Sequence, residues 1–134
     1  MNCIFCKIVA GELPCYRVYE DERVLAFLDI QPLARGHTLV IPKQHFARLE
    51  EMPEDLAGAC ASVATMLSRR VIAATGCTGW NLLQNNGRVA HQAVDHVHFH
   101  IIPRWAGDTF DFTWPAGKLD KDDAAELVKA IGSN

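Results

Sequence analysis

Apolar and polar side chains alternate most sharply at His96-Val97-His98-Phe99-His100-Ile101-Ile102. An imidazole at every second position puts three rings on one face of an extended segment and Val97, Phe99 and Ile101 on the other. The spacing predicts a strand over Val94 to Pro103, with its apolar face against a helix and its imidazoles fixed on a rigid element. Upstream, Tyr16 to Glu20 and Val24 to Asp29 are β-prone runs joined by Asp-Glu-Arg, the pattern of an antiparallel hairpin. Gly36-His37 opens Thr38-Leu39-Val40-Ile41, a buried strand ended by Pro42. From Pro53 to about Thr75, Leu56, Cys60, Val63, Leu67 and Val71 recur at intervals of three and four, predicting a helix of roughly 20 residues that stops at Gly76. Trp80 to Gln84 reads as another strand with Asn85-Asn86-Gly87 as its turn. A last helix, about Asp120 to Ile131, is expected to bury Leu127, Val128 and Ile131. The sum is an α+β domain with a mostly antiparallel sheet, one long central helix and a C-terminal helix.

The 134 residues fit a single domain spanning residues 1–134, and 49% apolar against 22% charged residues is a globular composition. A formal charge of −3 with intermixed signs leaves no basic stripe for a nucleic-acid polymer. The opening Met-Asn-Cys-Ile-Phe-Cys lacks the features of a signal peptide, and no run is read as a membrane span of about 20 apolar residues, so no membrane partner and a cytoplasmic location are expected. Five cysteines, an odd number, argue for reduced thiols rather than a disulfide framework.

Alternating histidines on a strand fit three kinds of chemistry. They can bind a metal with an open fourth position, carry covalent catalysis by a neutral imidazole, or serve a non-enzymatic ligand-binding or metal-buffering role. Asn85, Asn86 and Gln92 add uncharged amide donors, and Arg104 and Lys43 add cations, a set that suits phosphate. No carboxylate cluster accompanies them to hold Mg²⁺, which points to metal-independent chemistry at phosphorus. Cys3-x-x-Cys6 is a bite suited to zinc; it supplies two of four ligands, and histidines must complete any site. Cys15, Cys60 and Cys77 are isolated, with Cys60 on the apolar helix stripe.

The histidine segment resembles the signature of the histidine triad (HIT) nucleotide hydrolases and transferases. Cys3-Ile4-Phe5-Cys6-Lys7-Ile8-Val9, Val24 to Ile30, Gly36 to Lys43 and Ile101-Ile102-Pro103-Arg104 resemble further family blocks in the family's order. The resemblance implies a HIT-like fold whose sheet extends across a homodimer, and a nucleotide phosphohydrolase acting on nucleoside, expectedly adenosine, 5′-phosphoramidates or related monophosphate conjugates. It places His98 as the nucleophile of a nucleotidyl-histidine intermediate and His100 and Asn85 on the phosphate. Gln92 stands among the phosphate-side amides. Asp29 is implied to accept the ribose hydroxyls, with Phe5, Ile8, Leu28 and Ile30 around the base. For members with the N-terminal cysteine pair it implies a structural zinc held by Cys3, Cys6, His45 and His96.

The chain departs from the family pattern at two positions. Ala90-His91-Gln92 stands where many relatives have Ala-Gly-Gln, and Ala93 where many have Ser or Thr. Loss of that hydroxyl bears on rate and leaving group. It motivates one alternative, a nucleotide-binding regulatory protein with vestigial hydrolysis; a dinucleoside polyphosphate hydrolase is a second alternative, a variant within the same enzyme class.

Overall fold

The computed structural model describes residues 2–110 and 113–132. Its elements are α1 (Ile4–Val9), β1 (Arg17–Glu20), β2 (Val24–Leu28), β3 (Thr38–Pro42), α2 (Glu54–Thr75), β4 (Gly79–Gln84), β5 (Phe99–Arg104) and α3 (Lys121–Gly132), with short 3₁₀ turns at Leu49–Glu51 and Arg88–Ala90. The five strands form one sheet in the order β1-β2-β3-β5-β4, every neighbouring pair antiparallel. The expected α+β architecture, with its long central helix and C-terminal helix, is present.

The central strands read as unbroken apolar runs because both sheet faces are covered. On β2, Val24 and Ala26 join Val40 of β3, Phe99 and Ile101 of β5, and the stripe Leu56, Cys60, Val63, Ala64 and Leu67 of α2. The intervening Leu25 and Phe27 face the other way, with Leu39 and Ile41, onto Cys3 and Phe5 at the N-terminus. Pro53 precedes the first turn of α2 and Gly76 ends it in the left-handed conformation, φ 69°. At 22 residues α2 is, by length and composition alone, long and apolar enough to cross a membrane. It lies across the sheet instead, its stripe buried and Arg69 and Arg70 exposed.

Three elements depart from expectation. The strand predicted from Val94 begins at Phe99, because the last residues of β3 and β4 in register with β5, Val40 and Gln84, both lie opposite Phe99. Ahead of it the Val97 N–H donates to the Phe46 carbonyl at 2.8 Å, outside the ladder. The alternation survives without the ladder: Val97 shares the α2-side cluster with Phe99 and Ile101. Asn85-Asn86-Gly87 is not a tight turn but the start of a longer connection that includes the 3₁₀ turn at Arg88–Ala90. Finally, α3 buries nothing; Leu127, Val128 and Ile131 are 42%, 71% and 79% exposed, so its apolar stripe faces away from this chain's core.

Candidate functional site

Hydrogen bonds around the triad fix the proton on each ring. The Nδ1 of His98 lies 2.7 Å from the His96 carbonyl, which can only accept, so Nδ1 carries the hydrogen and Nε2 keeps a free lone pair. At His37, Nδ1 accepts from the Leu33 N–H at 3.0 Å, so Nε2 is the protonated nitrogen. That Nε2 is 2.8 Å from His100 Nδ1 and 3.6 Å from Asp29 Oδ2, and the shorter contact takes the hydrogen. His100 therefore accepts at Nδ1 and offers Nε2–H to its surroundings. One ring presents a lone pair and its neighbour a donor, with ring centroids 4.8 Å apart.

Burial keeps these rings neutral. It pushes the pKa of His98 below the ordinary value, opposed by the hydrogen bond to His96 and by Asp29. It does the same at His37, against the pull of Asp29. At His100, burial together with His98 and His37 brings the pKa down to about 4, Asp29 opposing. A neutral His37 makes its contact with Asp29 a polar one rather than an ion pair.

Two cavities meet at this pair. The larger, about 570 Å³, is walled by Phe5 and Ile8 of α1, Leu28 at the end of β2, and Asp29 and Ile30 just beyond it. Ile30 is 77% exposed, an apolar side chain presented to the opening rather than to the core. Phe5 also packs edge-on against Phe27 and His98, with centroids at 5.5 and 5.2 Å, so one ring joins the wall to the His98 imidazole. The smaller cavity, about 440 Å³, lies on the other side of the triad and includes Asn85, His91 and Phe110. Ala93, His98 and His100 line both.

A second cluster stands behind the first. Cys3 Sγ is 3.4 Å from His96 Nδ1, Cys6 Sγ is 3.3 Å from His45 Nδ1, and the two Nδ1 atoms are 3.2 Å apart. Four ligand atoms on one tetrahedral ion at ordinary Zn–S and Zn–N lengths are separated by about 3.3 to 3.8 Å. His96 Nε2 donates to the Pro42 carbonyl at 2.8 Å, which leaves Nδ1 unprotonated toward the thiols. The donor set and its spacing fit a metal ion.

The remaining sequence candidates lie elsewhere. Gln92 is buried, its Oε1 accepting from the Gly87 N–H and one Nε2 hydrogen going to the Ala47 carbonyl, both at 2.7 Å, which ties it to the loop. Asn86 accepts from the Leu49 N–H at 2.8 Å. Lys43 pairs with Glu20 at 2.6 Å. Arg104 grips the Asp108 carboxylate at 2.7 and 2.9 Å and the Phe110 carbonyl at 2.6 Å, anchoring a cavity wall. Sequence alone assigns His37 no role. The one signal it carries is that of a histidine opening an otherwise apolar strand.

A model of the HIT domain matches residues 10–107. The chain is 56% identical over 130 residues to an uncharacterised HIT-like protein of Methanocaldococcus jannaschii, covering 96% of this chain and 98% of that one. It is 44% identical over 134 residues to the adenosine 5′-monophosphoramidase hnt1 of Schizosaccharomyces pombe, covering 99% and 98%. Among solved structures, a Zn-bound histidine triad family protein from Mycobacterium smegmatis superposes with a TM-score of 0.79 at 39% identity, over 97% of this chain and 92% of that one. With the triad assembled at β5 and the domain matched over most of its length, the chain belongs to the HIT family.

Proposed function

We propose that the protein is a nucleotide phosphohydrolase that cleaves adenosine 5′-phosphoramidates or related nucleoside monophosphate conjugates through a nucleotidyl intermediate on His98. The observation that carries this reading is the pairing of tautomers where the cavities meet, a lone pair on His98 beside an N–H on His100. The nucleoside occupies the larger cavity, its ribose hydroxyls donating to Asp29 and its base lying among Phe5, Ile8, Leu28 and Ile30. Phosphorus sits at the junction and the leaving amine in the smaller cavity. His98 Nε2 attacks, an N–P bond forms, and the P–N bond to the amine breaks; the amine leaves with the electron pair and takes a proton from solvent. His100 Nε2–H and the Asn85 amide meet the charge on the phosphoryl oxygens, and the His96 carbonyl steadies the positive ring through Nδ1–H. Water then attacks phosphorus, loses a proton, and returns the bonding pair to His98. The name of the fission-yeast relative supports the substrate class.

In the same proposal Cys3, Cys6, His45 and His96 hold a structural zinc, supported by their spacing and by the Zn-bound mycobacterial neighbour. Bound there, the ion cross-links the N-terminus to the segment before β5. The exposed apolar stripe of α3 and Leu82 on edge strand β4, 48% exposed, support a homodimer, and five cysteines, none in a disulfide, suit the cytoplasm. Ala93, a methyl group at the junction of both cavities, favours the second reading of a nucleotide-binding protein with vestigial turnover.

Hydrolysis of adenosine 5′-phosphoramidate by wild type and His98→Asn separates the two. The expected loss is on the order of 10³-fold in kcat with nucleotide binding retained. Retention of configuration at a chiral phosphorus is expected from two displacements. Inversion, or a variant within tenfold of wild type, would refute the covalent route.

A further inference from the structure

The geometry points to His91 as the residue that selects the leaving group, its imidazole contacting a planar amine substituent in the smaller cavity. This rests on the proposed placement of the leaving group there. Among the described residues His91 is the one non-glycine with positive φ, at 70° with ψ 24°. That left-handed conformation suits glycine, and a side chain held in it is an outlier that asks for a purpose. The backbone over-determines it. The His91 N–H donates to the Arg88 carbonyl at 3.0 Å, and the loop is closed from behind by Gln92 on Gly87 at 2.7 Å. His91 so held lines the cavity that also contains His98 and His100.

The composition of that wall defines what it accepts. Leu33, Leu83 and Phe110 are apolar, Asn85 and His91 are the polar groups outside the triad, and among the described residues no Asp, Glu, Lys or Arg takes part. A charged polyphosphate tail finds no partner there, whereas a flat, weakly polar amine meets two rings and an amide. Phe110 is itself fixed, its carbonyl held by Arg104 at 2.6 Å and its ring 4.6 Å from the guanidinium. A glycine at position 91 would leave one side of the cavity without a side chain.

The test compares adenosine 5′-phosphoramidate, whose leaving group is ammonia, with its N-benzyl derivative, in wild type, His91→Gly and His91→Asn. Glycine relieves the backbone and asparagine tolerates it, so both variants fold. The expected result is a kcat/KM for the N-benzyl compound that falls about tenfold more than that for the parent in both variants, the size of one lost ring contact. Equal losses on both substrates, or a gain for the N-benzyl compound, would overturn the assignment. Dissociation constants of the two compounds in a His98→Asn background supply a readout independent of turnover. A benzyl preference that vanishes with His91→Gly supports the assignment even if wild type hydrolyses neither compound, an outcome that would sink the hydrolase reading alone. A preference unchanged by the substitution sinks the role of His91.

Discussion

Replacing His37 tests the tautomer relay. His37→Leu keeps the volume and the apolar contacts of a residue only 2% exposed, but removes two hydrogen bonds: acceptance from the Leu33 N–H at 3.0 Å and donation to His100 Nδ1 at 2.8 Å. The second matters for chemistry. Without it the half-buried His100 is free to move its single hydrogen to Nδ1, which in the proposed mechanism takes the donor away from the phosphoryl oxygens. Leaving a buried polar group unpaired costs about 1 to 3 kcal/mol, which corresponds to a fall of roughly 5- to 150-fold in kcat. KM should change less than kcat, because in the proposed arrangement His37 reaches the nucleotide only through its longer, 3.6 Å contact with Asp29. The conservative variant His37→Gln should recover much of the rate, since the glutamine carbonyl and amide can replace the acceptor and the donor. The assay is steady-state hydrolysis of adenosine 5′-phosphoramidate by wild type, His37→Leu and His37→Gln. A leucine variant within threefold of wild type, or a glutamine variant as impaired as leucine, would refute the relay.

Cys3→Ser should lower the bound zinc measured by elemental analysis from about one ion per chain to a small fraction and lower Tm with it; stoichiometric zinc in the variant would remove Cys3 from the ligand set. Stability should also fall with acid in a window set by His100. Its folded pKa of about 4 lies below the ordinary 6.5, so between these values the unfolded chain binds a proton that the native one does not. Stability is therefore lost as pH falls from about 6.5 to about 4, by up to roughly 3 kcal/mol. The urea midpoint should drop across that window, and less steeply in His100→Gln; identical slopes would show that His100 is not responsible.

How much is legible in the sequence depends on whether a signal is local. The triad alternation, the stripe Leu56, Cys60, Val63 and Leu67, and the stop at Gly76 are all short-range, and each appears where expected. The start of β5 at Phe99 is not legible: β4 ends at Gln84 opposite it, and although β3 runs on to Pro42, the Val97 N–H turns away to the Phe46 carbonyl, a matter of contacts distant in sequence. The apolar face of α3 misleads for a related reason: amphipathicity says that a face wants a partner, not that the partner lies in the same chain. The partners of Arg104 and Gln92 are not legible because residue type reveals capacity and not engagement; Arg104 is paired with Asp108, and Gln92 bridges Gly87 and Ala47. His37 stays hidden because a histidine opening a buried strand gives no sign of the ring it will meet 63 residues later.

The six-residue helix α1 has a consequence for the order in which this molecule assembles. A helix that short does not persist alone in water, so it forms only when Cys3 and Phe5 dock onto Leu25, Phe27, Leu39 and Ile41 and the thiols reach His45 and His96. Those acceptors come together only after β2, β3 and the segment before β5 are in register. Residues 3 to 9 thus settle after the sheet, and Phe5 and Ile8 bring one wall of the larger cavity with them. Nucleotide binding accordingly reports on completion of folding rather than on collapse of the sheet. A refolding time course followed by ligand fluorescence should lag one followed by the burial of the sheet's apolar face on α2.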